Sequence, residues 1–235
     1  YEHKIFISER SHDMKRKISG KVAIIFLSVL IVLTLGMIAG KHFISIPFVQ
    51  KNATSWNLIL VNHYNPIPDH YSIELVTLQN GRQVDSRIYS DLQQMFDDAR
   101  MQGIYPIVGE GYRTTEEQQA LLTEKIEAYL DEGYDEEEAT KLAKEWVAIP
   151  GYSEHQIGLA VDINAEESMS TNEEVYQWLA ENAYQYGFIL HYPEGKENFT
   201  GTTYEPWHYR YVRKEAALEI YSKKICLEEY LQMED

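Results

Sequence analysis

The chain has 235 residues, 44% hydrophobic and 25% charged, a balance that excludes an extended disordered chain and gives room for one domain of ordinary size plus an appendage. Its formal net charge of -16 is unevenly placed: residues 1–41 hold seven of the 21 Lys/Arg and three of the 37 acids, leaving 14 bases against 34 acids in the rest. Such a body repels phosphate backbones and argues against nucleic acid as a partner, while Cys226, the only cysteine, excludes an intrachain disulfide and a cysteine-rich metal cage.

Six bases precede an uncharged run of 19 residues at 22–40, VAIIFLSVLIVLTLGMIAG. That is close to the roughly 20 residues needed to cross a hydrocarbon layer about 30 Å thick. The run is longer than the h-region of a cleavable signal, and no small-x-small site precedes polar sequence, so it is expected to stay as a transmembrane helix. Only Lys41 and Lys51 follow soon after, so the positive-inside rule makes 1–21 a cytoplasmic tail in a single-pass cell-membrane protein whose C-terminal body faces outward. From residue 41 the chain is punctuated by Pro47, Asn52, Asn57, Asn65, Pro66 and Pro68 without a sustained helical period. Residues 41–61 are therefore expected as a stalk and 62–235 as the folded domain.

Within that domain, 71–78 and 104–108 read as strands, and 90–102 as a helix with Leu92, Met95, Phe96 and Ala99 on one face. A helix over 115–129 opens with Thr114 or Thr115 as N-cap, and a second over 135–146 starts beside acids, with Gly133 between them. Another amphipathic helix is expected at 173–186, then strands at 188–192 and 204–212. The pattern predicts an α+β fold, a small mostly antiparallel sheet with flanking helices. Cys226 reads as a small apolar filler near a C-terminal helix.

The stretch that carries chemistry is Ser153-Glu-His155-Gln-Ile-Gly158-Leu-Ala160-Val-Asp162, joined later by Glu205-Pro-Trp207-His208-Tyr-Arg210. Two imidazoles and a carboxylate close three corners of a zinc tetrahedron and leave the fourth to water, as a catalytic site requires. Glu205, three residues before His208, is then free to act as a proton acceptor. Taken singly, each residue has a plain structural explanation: a satisfied polar histidine, or Asp162 capping a turn. Gly158 and Ala160 are small enough to let the ligand-bearing backbone pack closely. Trp207 and Tyr209 flank His208 and are expected to pack and orient it, with substrate contact as the alternative; Tyr105 and Tyr152 are candidate pocket walls. His63, His70 and His191 have no partner motif and read as structural or surface residues.

The patterns SxHxxGxAxD and ExWHxR resemble those of the VanY-type D-alanyl-D-alanine carboxypeptidases and their relatives, and both match at every fixed position. Gly111-Tyr-Arg113-Thr-Thr-Glu-Glu-Gln118 is similar to that family's GYRSxxxQ element, with Thr114 in place of the commoner Ser. The resemblance covers most of 62–235 and implies His155, Asp162 and His208 as zinc ligands, with Glu205 as catalytic base. It further implies Arg113 as a substrate or transition-state contact, and Gln118 and Ser153 as pocket-lining, substrate-binding residues. An exposed ion pair is the plain alternative for Arg113.

The activity implied is zinc-dependent D,D-carboxypeptidase release of terminal D-alanine from peptidoglycan stem peptides or precursors, by a chain expected to be monomeric. L,D-carboxypeptidase action on tetrapeptide stems, an endopeptidase, and a non-catalytic zinc-containing wall-binding domain like that of hedgehog proteins are the alternatives. The intact Glu205, Arg113 and three implied ligands weigh against the last.

Overall fold

The computed structural model describes residues 55–233. The expected cytoplasmic tail, the 22–40 membrane segment and the stalk as far as residue 54 lie outside the described residues. Among the described residues no helix is long and apolar enough to cross a membrane.

The fold is α+β. A short antiparallel hairpin, β1 (Leu75–Thr77) and β2 (Gln83–Asp85), leads into helix α1 (Tyr89–Met101). The main sheet is built from β3 (Pro106–Glu110), β4 (Ala160–Ala165), β5 (Phe188–Leu190) and β6 (His208–Tyr211), in the antiparallel order β3-β4-β6-β5. Between β3 and β4 lie α2 (Thr115–Asp131) and α3 (Glu136–Lys144). Helix α4 (Asn172–Asn182) precedes β5, the four-residue turn α5 (Glu197–Thr200) precedes β6, and α6 (Lys214–Lys223) and α7 (Leu227–Met233) follow it.

Strand alternation separates packing from chemistry. On β4, Val161, Ile163 and Ala165 enter the main core with Leu92, Met95 and Ala99 of α1 and Val175, Trp178 and Leu179 of α4; Tyr209 and Tyr211 of β6 join them. The opposite face therefore receives Asp162 from β4 and His208 and Arg210 from β6, because successive side chains point to opposite sides of a sheet. The register sets Asp162 directly across from His208 and Ala160 across from Arg210. A second apolar cluster joins Val212, Ala216, Ala217 and Ile220 to Leu227, Tyr230 and Leu231 of α7. The α2–α3 pair has its own small core of Leu122, Ala143 and Val147.

Helix starts follow their capping chemistry. Thr114 accepts from the Glu117 N–H while the Glu117 carboxylate accepts from the Thr114 N–H, a reciprocal box that fixes the start of α2 just after Arg113. Thr171 and Glu174 do the same for α4, and Asp135 caps α3.

Several elements differ from expectation. The strand expected at 71–78 contracts to β1, that at 204–212 to β6, and the 173–186 helix ends as α4 before a 3-10 turn at Ala183–Tyr186. Strands β2 and β4 were not expected, although Val161-Asp162-Ile163-Asn164-Ala165 alternates apolar and polar residues as a strand does. The stalk boundary at 61 also needs correction. Ile59, Leu60 and Val61 are buried, and the Asn57 side chain donates to the Val212 carbonyl at 2.7 Å. The apolar run Leu58-Ile59-Leu60-Val61 belongs to the folded body, where its burial outweighs the turn-forming tendency of Asn57.

Candidate metal centre and active site

Gly158 shapes the motif locally. It ends the 3-10 turn Glu154–Ile157 at φ 69°, and a Cβ there would lie 2.4 Å from Ile73 Cδ1. A non-glycine residue would meet both the left-handed backbone penalty and this close approach. The turn before it carries His155 and the strand after it carries Asp162, which brings the two side chains to one place.

His155 Nε2 lies 3.6 Å from Asp162 Oδ1, and His208 Nδ1 lies 3.1 Å from the same oxygen. The two imidazoles stand nearly perpendicular, 5.1 Å between centroids. One donor atom from each of His155, Asp162 and His208 falls within 4.8 Å of the others. The remaining nitrogens are committed elsewhere: His155 Nδ1 meets the Gly111 carbonyl at 2.8 Å and His208 Nε2 meets Glu154 Oε2 at 3.2 Å. With a proton on each of those outward nitrogens, Nε2 of His155 and Nδ1 of His208 present lone pairs toward Asp162. Two imidazole nitrogens and a carboxylate oxygen are the donor set of an open zinc site. Zinc fits these residues.

Glu205 Oε2 lies 3.8 Å from His208 Nδ1, at the edge of this group. Burial pushes its carboxyl up to about 7, reinforced by the Asp162 charge and opposed by His208 and Arg113. Burial acts against charge on Asp162 too, but His155 and His208 overrule it and hold that carboxylate well below the usual range. For His208 burial works against the imidazolium, yet hydrogen bonds to Asp162 and Glu154 raise it to about 10 in the metal-free protein.

The group opens into a cavity of about 180 Å³ lined by Arg113, Gln118, Tyr152, Ser153, Glu205 and Trp207, among others. Arg113 Nη1 donates to Gln118 Oε1 at 2.7 Å, and Gln118 Nε2 donates to the Ala148 carbonyl at 2.7 Å. Arg113 is thereby aimed by a buried amide rather than paired with an acid. The Arg113 backbone N–H also donates to the His155 carbonyl at 3.1 Å, tying this loop to the turn that carries His155.

His155, Asp162, His208, Glu205, Arg113, Gln118 and Ser153 all reach this one site. Tyr152 lines it as expected; Tyr105 does not, its carbonyl instead accepting from the Glu166 N–H. Tyr209 packs in the core, whereas Trp207 lines the cavity with Tyr176 6.5 Å away. His63 also lines the cavity, and His191 lies buried behind His208 between Glu154 and Glu228. No motif pointed to His191 or Glu228. The available signal was in α7, where Glu228 sits on the same buried side as Leu227 and Leu231.

The sequence matches the family described as VanY, D-alanyl-D-alanine carboxypeptidase, over residues 81–214. It is 55% identical over 185 residues to a D-alanyl-D-alanine carboxypeptidase of Enterococcus faecalis, covering 79% of this chain and 69% of that one. Among solved structures it is similar to VanYB in complex with D-alanine-D-alanine, at 55% identity and a TM-score of 0.76, covering 77% of this chain and 100% of that chain. It is also similar to a glutamate-to-alanine variant of the vancomycin resistance D,D-pentapeptidase VanY in complex with Zn(II), at 56% identity and a TM-score of 0.74, covering 75% and 99%.

Proposed function

Because the chain belongs to the VanY family of D-alanyl-D-alanine carboxypeptidases, we infer that it is a zinc-dependent D,D-carboxypeptidase releasing the terminal D-alanine of peptidoglycan stem peptides or precursors. The observation that carries the reading is the convergence of His155, Asp162 and His208 beside Glu205 at the floor of one cavity. In this reading the first three residues hold the zinc. When bound, the ion supplies Lewis acidity for the scissile carbonyl and for water near neutral pH.

The chain's own groups supply the rest. A Glu205 carboxylate takes a proton from the attacking water and returns it to the departing D-alanine amine; a carboxyl raised to about 7 suits both directions of transfer. Arg113 is the only Arg or Lys among the described residues lining the cavity, so it is assigned to the free carboxylate of the terminal D-alanine, which an exopeptidase must recognise. Gln118 holds that guanidinium in place, and the buried Ser153 lines the pocket beside His155.

The protein is further proposed to act as a monomer tethered to the cell membrane by the 22–40 helix, with its N-terminus in the cytoplasm and its catalytic domain outside. The basic residues before the apolar run support this orientation.

D-alanine release by the purified protein, offered pentapeptide and tetrapeptide stems separately with and without a zinc chelator, tests the activity. Chelator-sensitive release from the pentapeptide is expected. Release from the tetrapeptide alone would make it an L,D-enzyme, and release from neither with zinc bound would leave a binding domain.

Zinc uptake should be coupled to proton release. Metal-free His208, raised to about 10, carries a proton at pH 7 that the ion must displace. Apparent zinc affinity should therefore rise about tenfold per pH unit between about pH 7.5 and 9, with roughly one proton released. Calorimetry in buffers of different ionisation enthalpy measures this, and a pH-independent affinity would show that His208 holds no proton for the ion to displace.

A further inference from the structure

His208 turns Nδ1 toward Asp162 at 3.1 Å and Nε2 toward the interior, where Glu154 Oε2 lies at 3.2 Å. Glu154 is only 2% exposed, and both of its oxygens are engaged. Its Oε1 pairs with Arg210 Nη1, while Oε2 also meets His191 Nδ1 at 2.7 Å. Beyond it, His191 Nε2 meets Glu228 Oε2 at 3.3 Å, and Glu228 Oε1 accepts from Asn62 Nδ2 at 2.9 Å. Arg210 is fixed in turn by the carbonyls of Asn57 and Ile59, at 3.2 and 2.7 Å. An unbroken line of buried polar groups thus runs from a metal-facing imidazole to helix α7.

We propose that Glu154 is the positioning residue of the metal centre, holding His208 as the Nε2–H tautomer with Nδ1 presented to zinc, and that Glu228 of α7 sets the position of Glu154 through His191. This extends the zinc assignment made above and rests on it.

Three features favour a positioning role over simple charge burial. A neutral imidazole has one N–H, and an acceptor at Nε2 decides which nitrogen keeps it. Glu154 cannot swing away to water, because Arg210 anchors its other oxygen and Arg210 is itself tied to the backbone carbonyls of Asn57, Ile59 and Tyr211. A carboxylate that hydrogen-bonds the outer nitrogen of a ligating histidine also raises the basicity of the inner one, strengthening its bond to a metal. Glu154, His191 and His208 also bring donor atoms within 4.8 Å of one another. That second group does not suit an ion: the Arg210 guanidinium already occupies one side of Glu154, and the side chains of Glu154 and His191 are fully shielded from solvent.

The test measures zinc affinity of the full-length protein by competition with a chromophoric chelator, alongside the imidazole N–H resonances of the zinc-loaded protein. Glu154→Gln is expected to weaken zinc about 10- to 100-fold, the range typical of losing such a partner. Glu228→Gln should weaken it less, and the double variant should bind zinc no more weakly than Glu154→Gln, because Glu228 acts only through Glu154. Additive losses, or unchanged affinity in Glu154→Gln, would overturn the proposal.

Glu154→Gln leaves Arg210 short of a counter-charge and could fail to fold, so Glu228→Gln gives an independent reading. It should shift the His208 Nε2–H resonance and leave that of His155 Nδ1–H in place; an unmoved His208 resonance overturns the relay. A wild-type protein that binds no zinc would instead defeat the underlying ligand assignment, which separates the two failures.

Discussion

Glu205→Gln should lower kcat at least about 100-fold while the protein still binds one zinc ion, since general-base contributions are about 10² to 10⁴. Glutamine keeps the size and an oxygen of the side chain but cannot accept and release the proton that passes from water to the leaving amine. Glu205 Oε2 is 3.8 Å from His208 Nδ1, whereas Asp162 Oδ1 is 3.1 Å from it, so the carboxylate facing the inner nitrogens is Asp162. A factor of 100 corresponds to about 2.7 kcal/mol of transition-state stabilisation. Zinc content by atomic absorption, measured beside turnover, checks the assignment. Equal loss of metal and activity would make Glu205 a ligand and leave the base unassigned.

His208→Ala should abolish both metal binding and turnover. The substitution removes the imidazole whose two nitrogens connect Asp162 to the buried Glu154, and takes one partner from each carboxylate. Only His155 and Asp162 would remain to hold the ion, too few for tight binding by a site that needs three protein ligands. Zinc stoichiometry after gel filtration, with thermal unfolding to confirm that the variant is folded, reads the outcome. A folded variant that keeps one zinc and its activity would refute the site.

These two substitutions act on residues that were legible in the sequence, and the reason is chemical. Two imidazoles and a carboxylate suit an open zinc site, and the resemblance of SxHxxGxAxD and ExWHxR to the VanY patterns implies the roles of residues 155, 162, 205 and 208, so the set could be read without any strand assignment. The supporting structure was less legible. Strand β4 carries Asp162, and its alternation of Val161, Ile163 and Ala165 with Asp162 and Asn164 is short enough to pass unnoticed inside the chemical motif. Glu154 lies inside the recognised motif yet is defined by partners 37 and 56 residues away, His191 and Arg210. His191 has no local signal at all. Residues 57–61 read as a linker because Asn57 suggests a turn, and only the tertiary contact shows its carbonyl and that of Ile59 receiving Arg210. Local pattern finds the atoms that would touch the metal; long-range contacts determine what holds them.

The two histidines at the metal face are anchored in unlike ways, and their tolerance of mutation should differ accordingly. The partner of His155 is a backbone carbonyl, that of Gly111, which every amino acid supplies. The orientation of His155 is thus written into the path of the chain. Position 111 is restricted for a separate reason, because any Cβ there would sit 2.3 Å from the Gln83 carbonyl oxygen. His208 depends on a side chain that a single codon change can remove. Among variants that drift in this sequence, gradual loss of metal affinity should enter through the His208 side, whereas damage on the His155 side should arrive abruptly, as a failure of the chain to close around residue 111.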